Sequence, residues 1–195
     1  MSNKIAMNTP NKLTIARIIL TPIFLLFFTV TSIPGNYLIA LVLYIAASIT
    51  DFLDGKIARS RGIVTNFGKF TDPLADKMLT TAAFLGFMIN GYCNIWIVFV
   101  ILFREFLVSS IRMVASSQGA VIPANMWGKV KTASMMLFSC LIMLALSLQQ
   151  NFHVLPNGFP LVIISNSLLG FCGLLTLISG ITYVIQGAKV IDFSK

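Results

Sequence analysis

Four aspartates lie close together in a sequence that has few other acidic residues. They are Asp51, Asp54, Asp72 and Asp76, and they make up four of the six acidic residues in the 195-residue chain. Strongly apolar sequence flanks them on both sides, which predicts that the carboxylates lie at or inside a membrane boundary. An ionisable group is costly in that setting and is by default a candidate for function.

The spacing of these aspartates places each pair on one face of a helix. Asp51 and Asp54 are three residues apart, and Asp72 and Asp76 are four apart, which are the separations of neighbouring side chains on a helix. Glycine and polar residues within 62–66 favour a turn between the two pairs. The sequence therefore predicts two antiparallel helices that bring four carboxylates face to face.

Carboxylates gathered in this way need cations. In a medium of reduced dielectric, their mutual repulsion is on the order of several kcal/mol. Oxygen ligands suit Mg²⁺, Mn²⁺ or Ca²⁺, and two such ions form the usual clamp for phosphoryl transfer. The alternative is a set of ion pairs between the aspartates and nearby bases at the helix ends. Those bases are Lys56, Arg59, Lys69 and Lys77.

Other residues in this stretch are suited to binding phosphate. Gly55 and Gly68 would let a ligand approach the backbone closely, although close helix packing explains them equally well. Arg59 offers a planar bidentate donor for phosphate, or else is an interfacial arginine whose head group reaches water. The only histidine, His153, falls in a distant loop, so a proton acceptor near the aspartates would have to be one of the aspartates.

Composition identifies an integral membrane protein. Hydrophobic residues make up 57% of the chain and charged residues 10%, well below the charged quarter typical of soluble domains. We expect one domain over residues 1–195. The net charge of +8 does not indicate nucleic acid, because the bases lie beside apolar spans and so favour anionic headgroups and phosphorylated substrates. Cys93, Cys140 and Cys172 are expected to be buried free thiols.

Hydrophobic periodicity predicts an all-α fold with six transmembrane helices, preceded by a short N-terminal interfacial segment near residues 8–12. The third helix is expected to begin near Thr71, with Pro73 tolerated in its first turn. The six spans are expected at about residues 13–31, 37–59, 71–90, 94–116, 126–147 and 160–186.

The basic residues predict the orientation of these spans. Loops 32–36, 91–94 and 149–158 contain no Lys or Arg, whereas the opposite side carries many. The positive-inside rule then places both termini and the aspartates on the cytoplasmic side of the cell membrane.

A second basic group lies on the later helices. Arg104 and Glu105 occupy the middle of the fourth span and must therefore face protein or a wet cavity. Ordinary positive-inside charge is the alternative explanation for the group, and we favour it for Lys131 alone. The bases that would surround a second anionic site are Arg17, Arg104, Arg112, Lys129 and Lys131.

The aspartate segment also carries a family resemblance. The pattern Asp51-x2-Asp54-Gly55-x2-Ala58-Arg59-x8-Gly68-x3-Asp72-x3-Asp76 resembles the signature of the CDP-alcohol phosphotransferases at all eight of its positions. Members are six-helix homodimers that transfer a CDP-linked group to an acceptor hydroxyl and release CMP. The resemblance implies that the four aspartates hold two divalent cations, Mg²⁺ or Mn²⁺, and that Asp76 is also the general base. It further implies a CDP site made of Asp54, Gly55, Ala58, Arg59 and Gly68.

Flanking segments narrow the resemblance to members that use CDP-diacylglycerol and sn-glycerol 3-phosphate. The segments are Pro10-Asn11-x-Leu13-Thr14-x2-Arg17, Arg104-Glu105-Phe106 with Arg112, and Gly128-Lys129-x-Lys131-Thr132. A dianionic acceptor would require the second basic group, with Arg112 and Lys129 holding the acceptor phosphate and Arg104, Lys131 or Arg17 assisting. The alternatives are another acceptor (inositol phosphate, serine or phosphatidylglycerol) or, in a different class, a divalent-cation transporter.

Overall fold

The chain folds into helices throughout its described secondary structure. The computed structural model describes residues 9–61, 66–123, 125–156 and 158–191, and it excludes the side chains of 9–10, 51–61, 66–70 and 72–73. Within these ranges there is no strand, which confirms the predicted all-α class. The six helices are α1 (Thr9–Thr29), α2 (Asn36–Arg61), α3 (Asn66–Ile89), α4 (Ile95–Ser117), α5 (Met126–Gln150) and α6 (Leu161–Val190).

Several of these helices are long and apolar enough to cross a bilayer. Among the residues that the structure describes, three stretches satisfy both conditions, namely Asn11–Thr29, Met126–Gln150 and Leu161–Val190, and Asn36–Thr50 is a shorter apolar helix. Together with the composition, these helices identify a membrane protein. The number of crossings, six, stays a prediction.

Two helices begin earlier than the sequence indicated. α3 begins at Asn66 rather than near Thr71, so Pro73 lies two turns inside the helix instead of in its first turn. The rule that places proline at a helix start reflects its missing N–H, but membrane helices also tolerate interior proline where neighbouring groups satisfy the freed carbonyl. α1 begins at Thr9, so Thr9–Lys12 form its first turn. The remainder of the expected interfacial segment lies outside the described residues, as does the turn at residues 62–65.

The connections follow local sequence signals. Gly35, Gly91 and Gly119 have φ angles of 73°, 79° and 78°, a conformation that glycine adopts without steric cost, and each lies in a turn between helices. Asn94 precedes α4, and its side chain accepts a hydrogen bond from the backbone N–H of Trp96, as expected of a helix cap.

The described chain divides into two compact units. The first unit comprises Met1–Gly86 and Ile142–Asn157, and the second comprises Phe87–Leu141 and Gly158–Lys195. α1 and α2 pack together in the first unit, and α4 and α6 pack together in the second. The single domain expected over residues 1–195 stays a prediction.

One face of α1 organises the first unit. Its buried residues recur at intervals of three or four, which is the period of one helix face. The end of this face is aromatic, since the Phe24 ring lies 5.5 Å from the rings of both Phe28 and Tyr44. α3 packs against this face of α1 at Gly86, where a β-carbon would collide with the Phe28 ring. The buried face of α1 contains Asn11, Thr14, Arg17, Thr21, Phe24 and Phe28.

Glycines spaced by seven residues hold α6 against α4 in the second unit. A β-carbon added at Gly173, Gly180 or Gly187 would lie 3.8, 3.0 or 2.6 Å from side-chain atoms of Ile97, Arg104 or Ile111, respectively. Both sets repeat every seven residues, and the Asn94 N–H near the start of α4 donates to the Asn166 side chain near the start of α6 at 2.8 Å. The two helices therefore run in the same direction, with small residues permitting close approach.

Candidate functional site

The helices carry the aspartate signature as the spacing predicted. Asp51 and Asp54 lie on α2, and Asp72 and Asp76 lie on α3. Asp76 is the only one of the four whose side chain falls within the described part of the structure. The side-chain positions of the other signature residues lie outside that part, so their roles stay predictions. These residues are Asp51, Asp54, Gly55, Ala58, Arg59, Gly68 and Asp72.

Asp76 is paired with a buried arginine on another helix. Arg17 Nη1 donates to Asp76 Oδ1 at 2.6 Å. The Arg17 side chain is 0% exposed, whereas that of Asp76 is 51% exposed. Charge-assisted hydrogen bonds of this length are among the stronger interactions in proteins. The carboxylate is thus anchored through one oxygen by α1 while much of its surface faces solvent.

The arginine reaches Asp76 because α1 turns a polar face inward. Asn11, Thr14, Arg17 and Thr21 are all buried, and the Thr21 hydroxyl donates to the backbone carbonyl of Arg17 at 2.9 Å. Three of the five fixed residues of the segment 10–17, namely Asn11, Thr14 and Arg17, are therefore interior residues of the first unit. The ion pair between Arg17 and Asp76 joins this segment to the aspartate helix α3.

Asp76, the one aspartate of the signature whose side chain is described, has the chemistry of a ligand for a hard divalent cation. The continuous helical backbone of α2 and α3 gives each pair the predicted i, i+3 or i, i+4 relationship, and the half-exposed carboxylate of Asp76 is the kind of oxygen ligand that Mg²⁺ and Mn²⁺ prefer. Among the side chains that the structure describes, no three His, Cys, Asp or Glu residues form a metal-binding group.

The second unit contains a buried charge cluster centred on Glu105. Oε1 of Glu105 accepts hydrogen bonds from Arg104 Nη1, at 2.9 Å, and from Lys131 Nζ. Arg104 Nη2 donates to Ser179 Oγ on α6 at 2.6 Å. Arg104 and Glu105 were predicted to face protein or a wet cavity from the middle of their helix, and these contacts confirm that they face protein. A single carboxylate thus binds two bases that a lipid environment would otherwise exclude.

Lys131 differs from its expected environment. The sequence favoured ordinary positive-inside charge for this residue, whereas the structure buries it against Glu105. The reason is that Glu105, the one acidic residue of α4, provides a partner for the ammonium group inside the protein. Lys129, two residues earlier on α5, is exposed, which is the environment that ordinary positive-inside charge would have.

Arg112 is held by an aromatic residue of α6. Its Nη2 donates to the Tyr183 hydroxyl at 2.6 Å, and its guanidinium carbon lies 4.9 Å from the centre of the Tyr183 ring. The guanidinium carbon of Arg104 lies 5.2 Å from the centre of the same ring. One buried tyrosine therefore contacts both arginines by cation–π interactions, although Arg112 itself is exposed.

Asn125 ties the start of α5 to the same face of α6. Its backbone N–H donates to the Tyr183 hydroxyl at 3.2 Å, and its side-chain amide donates to Thr182 Oγ1 at 2.6 Å. The Asn125 side-chain oxygen accepts from the Gly128 N–H at 2.7 Å, which caps α5. The Gly128-Lys129 segment is therefore fixed relative to Tyr183.

Sequence reasoning placed no site residue on α6, yet this helix supplies Ser179, Thr182 and Tyr183 to the cluster. The available signal was the spacing of small and polar residues within an otherwise apolar span. Thr176, Gly180, Tyr183 and Gly187 recur at intervals of three or four, Ser179 lies beside Gly180, and all five are buried, which indicates a polar helix face turned toward protein rather than lipid.

Comparisons with known proteins agree with the signature. A family model described as CDP-alcohol phosphatidyltransferase matches residues 7–179. A CDP-diacylglycerol–glycerol-3-phosphate 3-phosphatidyltransferase of Bacillus subtilis (strain 168) is 45% identical over 136 residues, covering 64% of this chain and 70% of that one. A probable phosphatidylglycerophosphate synthase of Mycobacterium tuberculosis (strain ATCC 25618 / H37Rv) is 34% identical over 184 residues, covering 93% and 82%. A CDP-diacylglycerol–glycerol-3-phosphate 3-phosphatidyltransferase of Rickettsia bellii (strain RML369-C) is 36% identical over 180 residues, covering 92% and 95%.

Proposed function

Because this chain belongs to the CDP-alcohol phosphatidyltransferase family, we propose that it transfers the phosphatidyl group of CDP-diacylglycerol to sn-glycerol 3-phosphate. The products are phosphatidylglycerophosphate and CMP. The observation that carries the proposal is the complete aspartate signature on α2 and α3. The names of the relatives, which share this donor and acceptor, support the choice of substrates.

The family depends on divalent cations, and we assign two ions, Mg²⁺ or Mn²⁺, to the four aspartates. Asp51 and Asp54 would hold them from α2, and Asp72 and Asp76 from α3. When bound, the ions neutralise charge on the pyrophosphate of CDP-diacylglycerol and on the leaving phosphate. Asp54, Gly55, Ala58, Arg59 and Gly68 would bind the CDP moiety.

Asp76 is the proposed general base. It accepts the proton of the 1-hydroxyl of sn-glycerol 3-phosphate as that oxygen forms a bond to the β-phosphorus, which carries the diacylglycerol. The bond between this phosphorus and the oxygen bridging to CMP breaks in the same displacement, and no covalent enzyme intermediate forms. Arg17 orients the carboxylate through Oδ1, which supports a fixed direction for the accepting oxygen.

The acceptor phosphate is assigned to the basic residues of the second unit. Arg112 and Lys129 are exposed and are the proposed direct ligands. Arg104 and Lys131 are buried with Glu105, so we assign them a supporting electrostatic role. Arg17, which the sequence also suggested for this phosphate, is engaged with Asp76.

We further propose that the protein is a homodimer in the cell membrane, with the active site and both termini in the cytoplasm. The distribution of basic residues supports this orientation. A cytoplasmic site also gives direct access to sn-glycerol 3-phosphate, which is too polar to cross the hydrocarbon core unaided.

An acceptor screen tests the reaction. Purified protein in detergent micelles containing CDP-diacylglycerol would be supplied separately with sn-glycerol 3-phosphate, inositol phosphate, serine and phosphatidylglycerol, and CMP release measured. We expect release with sn-glycerol 3-phosphate, loss of release with EDTA, and recovery with Mg²⁺ or Mn²⁺. Release with a different acceptor alone would refute the assigned substrate, and activity unaffected by EDTA would refute the cation site.

Variants of single carboxylates test the site. Asp72→Asn and Asp76→Asn are each expected to lower CMP release by at least about a thousandfold, because a cation ligand or the base is lost. Asp192→Asn is the matched control, since it removes an acidic residue that lies outside the signature and has no assigned role. Normal turnover by either motif variant would contradict the mechanism.

A further inference from the structure

We propose that Tyr183 is a positioning residue that fixes the guanidinium of Arg112 for the acceptor phosphate. Tyr183 lies on α6, belongs to no segment of the family resemblance, and is buried. The inference rests on the proposed function, in which Arg112 binds the phosphate of sn-glycerol 3-phosphate. It adds a residue that determines how well this site recognises a phosphorylated acceptor.

Two separate contacts fix Arg112. The Tyr183 hydroxyl accepts from Arg112 Nη2 at 2.6 Å, and the ring lies beneath the guanidinium at 4.9 Å. The hydrogen bond fixes one nitrogen of the planar fork at the hydroxyl, and the cation–π contact keeps the guanidinium over the ring. Together they restrict the guanidinium more tightly than either contact would alone.

The tyrosine is itself held in place. Its hydroxyl also accepts from the backbone N–H of Asn125 at 3.2 Å, and its ring packs in the apolar cluster of Val108, Ala115 and Ile122. The phenol oxygen thus accepts from two donors that belong to different parts of the chain. Tyr183 can therefore impose a position on Arg112 rather than follow it.

This restraint matters because Arg112 is exposed. An exposed arginine samples many rotamers, and a ligand that needs one of them must bear the ordering cost. A guanidinium has five N–H donors, and the contact with Tyr183 uses one of them while leaving the side chain open to solvent. The arrangement orders the fork before the phosphate arrives.

Arg104 provides the contrast. It touches the same ring, but it is buried and is already held by Ser179 and Glu105. Loss of the Tyr183 hydroxyl would leave those hydrogen bonds intact. Asn125 would likewise keep its hydrogen bonds to Thr182 and Gly128. The effect of removing the hydroxyl should therefore act mainly through Arg112, and the Arg112→Gln background described below tests this directly.

The experiment compares Tyr183→Phe with wild type in two measurements: steady-state kinetics, and calorimetric binding of sn-glycerol 3-phosphate to the detergent-purified protein. We expect the KM and Kd for sn-glycerol 3-phosphate to rise about tenfold, as for loss of a hydrogen bond to a charged group. The KM for CDP-diacylglycerol should be unchanged and kcat should change by less than about twofold, since neither depends on ordering of Arg112. Tyr183→Leu, which also removes the ring, should raise the acceptor constants further.

Tyr37→Phe is the matched control, because Tyr37 is an equally buried tyrosine that belongs to the first unit. It should leave the acceptor KM unchanged. In an Arg112→Gln background, Tyr183→Phe should have no further effect on acceptor binding, a non-additivity that a purely structural role for Tyr183 would not produce. Thermal unfolding and gel filtration would verify that each variant is folded.

The outcomes separate this inference from the proposed function. Wild-type protein that releases no CMP with sn-glycerol 3-phosphate refutes the function. Active wild-type protein with equal acceptor Kd values for wild type and Tyr183→Phe refutes the positioning role, as does an undiminished effect in the Arg112→Gln background. Should Tyr183→Phe not fold, Arg112→Lys takes its place: it keeps the charge but loses the fork, and an unchanged Kd would equally overturn the inference.

Discussion

Arg17 and Asp76 are 59 residues apart in sequence, yet Nη1 of the first lies 2.6 Å from Oδ1 of the second. The pairing joins two segments that sequence reasoning treated as separate sites, one for the acceptor phosphate and one for cations. A buried guanidinium is costly without an anion beside it. Asp76 therefore stabilises the buried guanidinium of Arg17, in addition to its proposed role in the chemistry.

This pairing predicts that Asp76→Asn destabilises the protein as well as inactivating it. We expect a loss of about 1–3 kcal/mol in the free energy of unfolding, reduced from the value for fully buried pairs because Asp76 is half-exposed. The double variant Arg17→Met/Asp76→Asn should regain part of that stability without regaining CMP release. The measurement is denaturant unfolding in detergent micelles, and a double variant less stable than Asp76→Asn would refute the coupling.

Cys93 allows a pH prediction outside the membrane-spanning helices. It lies between α3 and α4 and is buried, and this burial, with a smaller contribution from Cys172, raises the pKa of its thiol to about 12. A raised pKa favours the neutral thiol, and only the thiolate reacts readily with maleimides. We therefore expect negligible labelling of Cys93 at pH 7.5, increasing as the pH rises above 9.

Mass spectrometry after timed labelling at several pH values would measure this reaction. Free cysteine in the same solution is the internal standard, since its thiol has an unperturbed pKa. Modification of Cys93 at pH 7.5 at the rate of the free amino acid would contradict the prediction.

At the scale of elements, the packing of α6 on α4 depends on small residues at a seven-residue interval. Gly180 leaves room for the Arg104 side chain, and Gly187 leaves room for Ile111. This close packing brings the polar face of α6 to Arg104 and Arg112. The surroundings of Arg104 and Arg112 are therefore a property of two packed helices rather than of the two arginines alone.

Gly187→Ala is expected to destabilise this helix pair. The new β-carbon would lie 2.6 Å from Ile111 Cγ2, and overpacking of this kind costs about 1–3 kcal/mol. Gly170→Ala is the matched control on the same helix, because its β-carbon would make an ordinary contact of 3.8 Å with Ile97. Thermal unfolding in detergent should show a lower midpoint for Gly187→Ala alone; equal midpoints would argue against close packing at Gly187.

At the scale of the whole molecule, the distribution of basic residues predicts an orientation that can be measured in cells. Phe152 lies in a loop with no Lys or Arg, and Val121 lies between α4 and α5; both are exposed. A membrane-impermeant maleimide added to intact cells should label Phe152→Cys and label Val121→Cys only after permeabilisation. The reverse pattern would contradict a cytoplasmic active site and cytoplasmic termini.

The sequence by itself determined the class of the protein and predicted the place of its chemistry. Composition required a membrane protein, period 3.6 required helices, and carboxylates at intervals of three and four beside apolar sequence required a reason such as bound cations. These signals are local, so they survive without knowledge of the fold. The start of α3 was less accurate because a proline rule for helix ends does not account for neighbours that make interior proline tolerable.

Only the tertiary structure decided which charges meet. Glu105 binds Arg104 and Lys131, Arg17 binds Asp76, and Tyr183 binds Arg112, and all but one of these pairs joins different helices. Whether a base is exposed, paired or stacked depends on which helix faces pack together, and that choice reflects shape and small residues spread over distant parts of the chain. The types and spacings of the residues therefore predicted the chemistry, whereas helix packing determined the partner of each side chain.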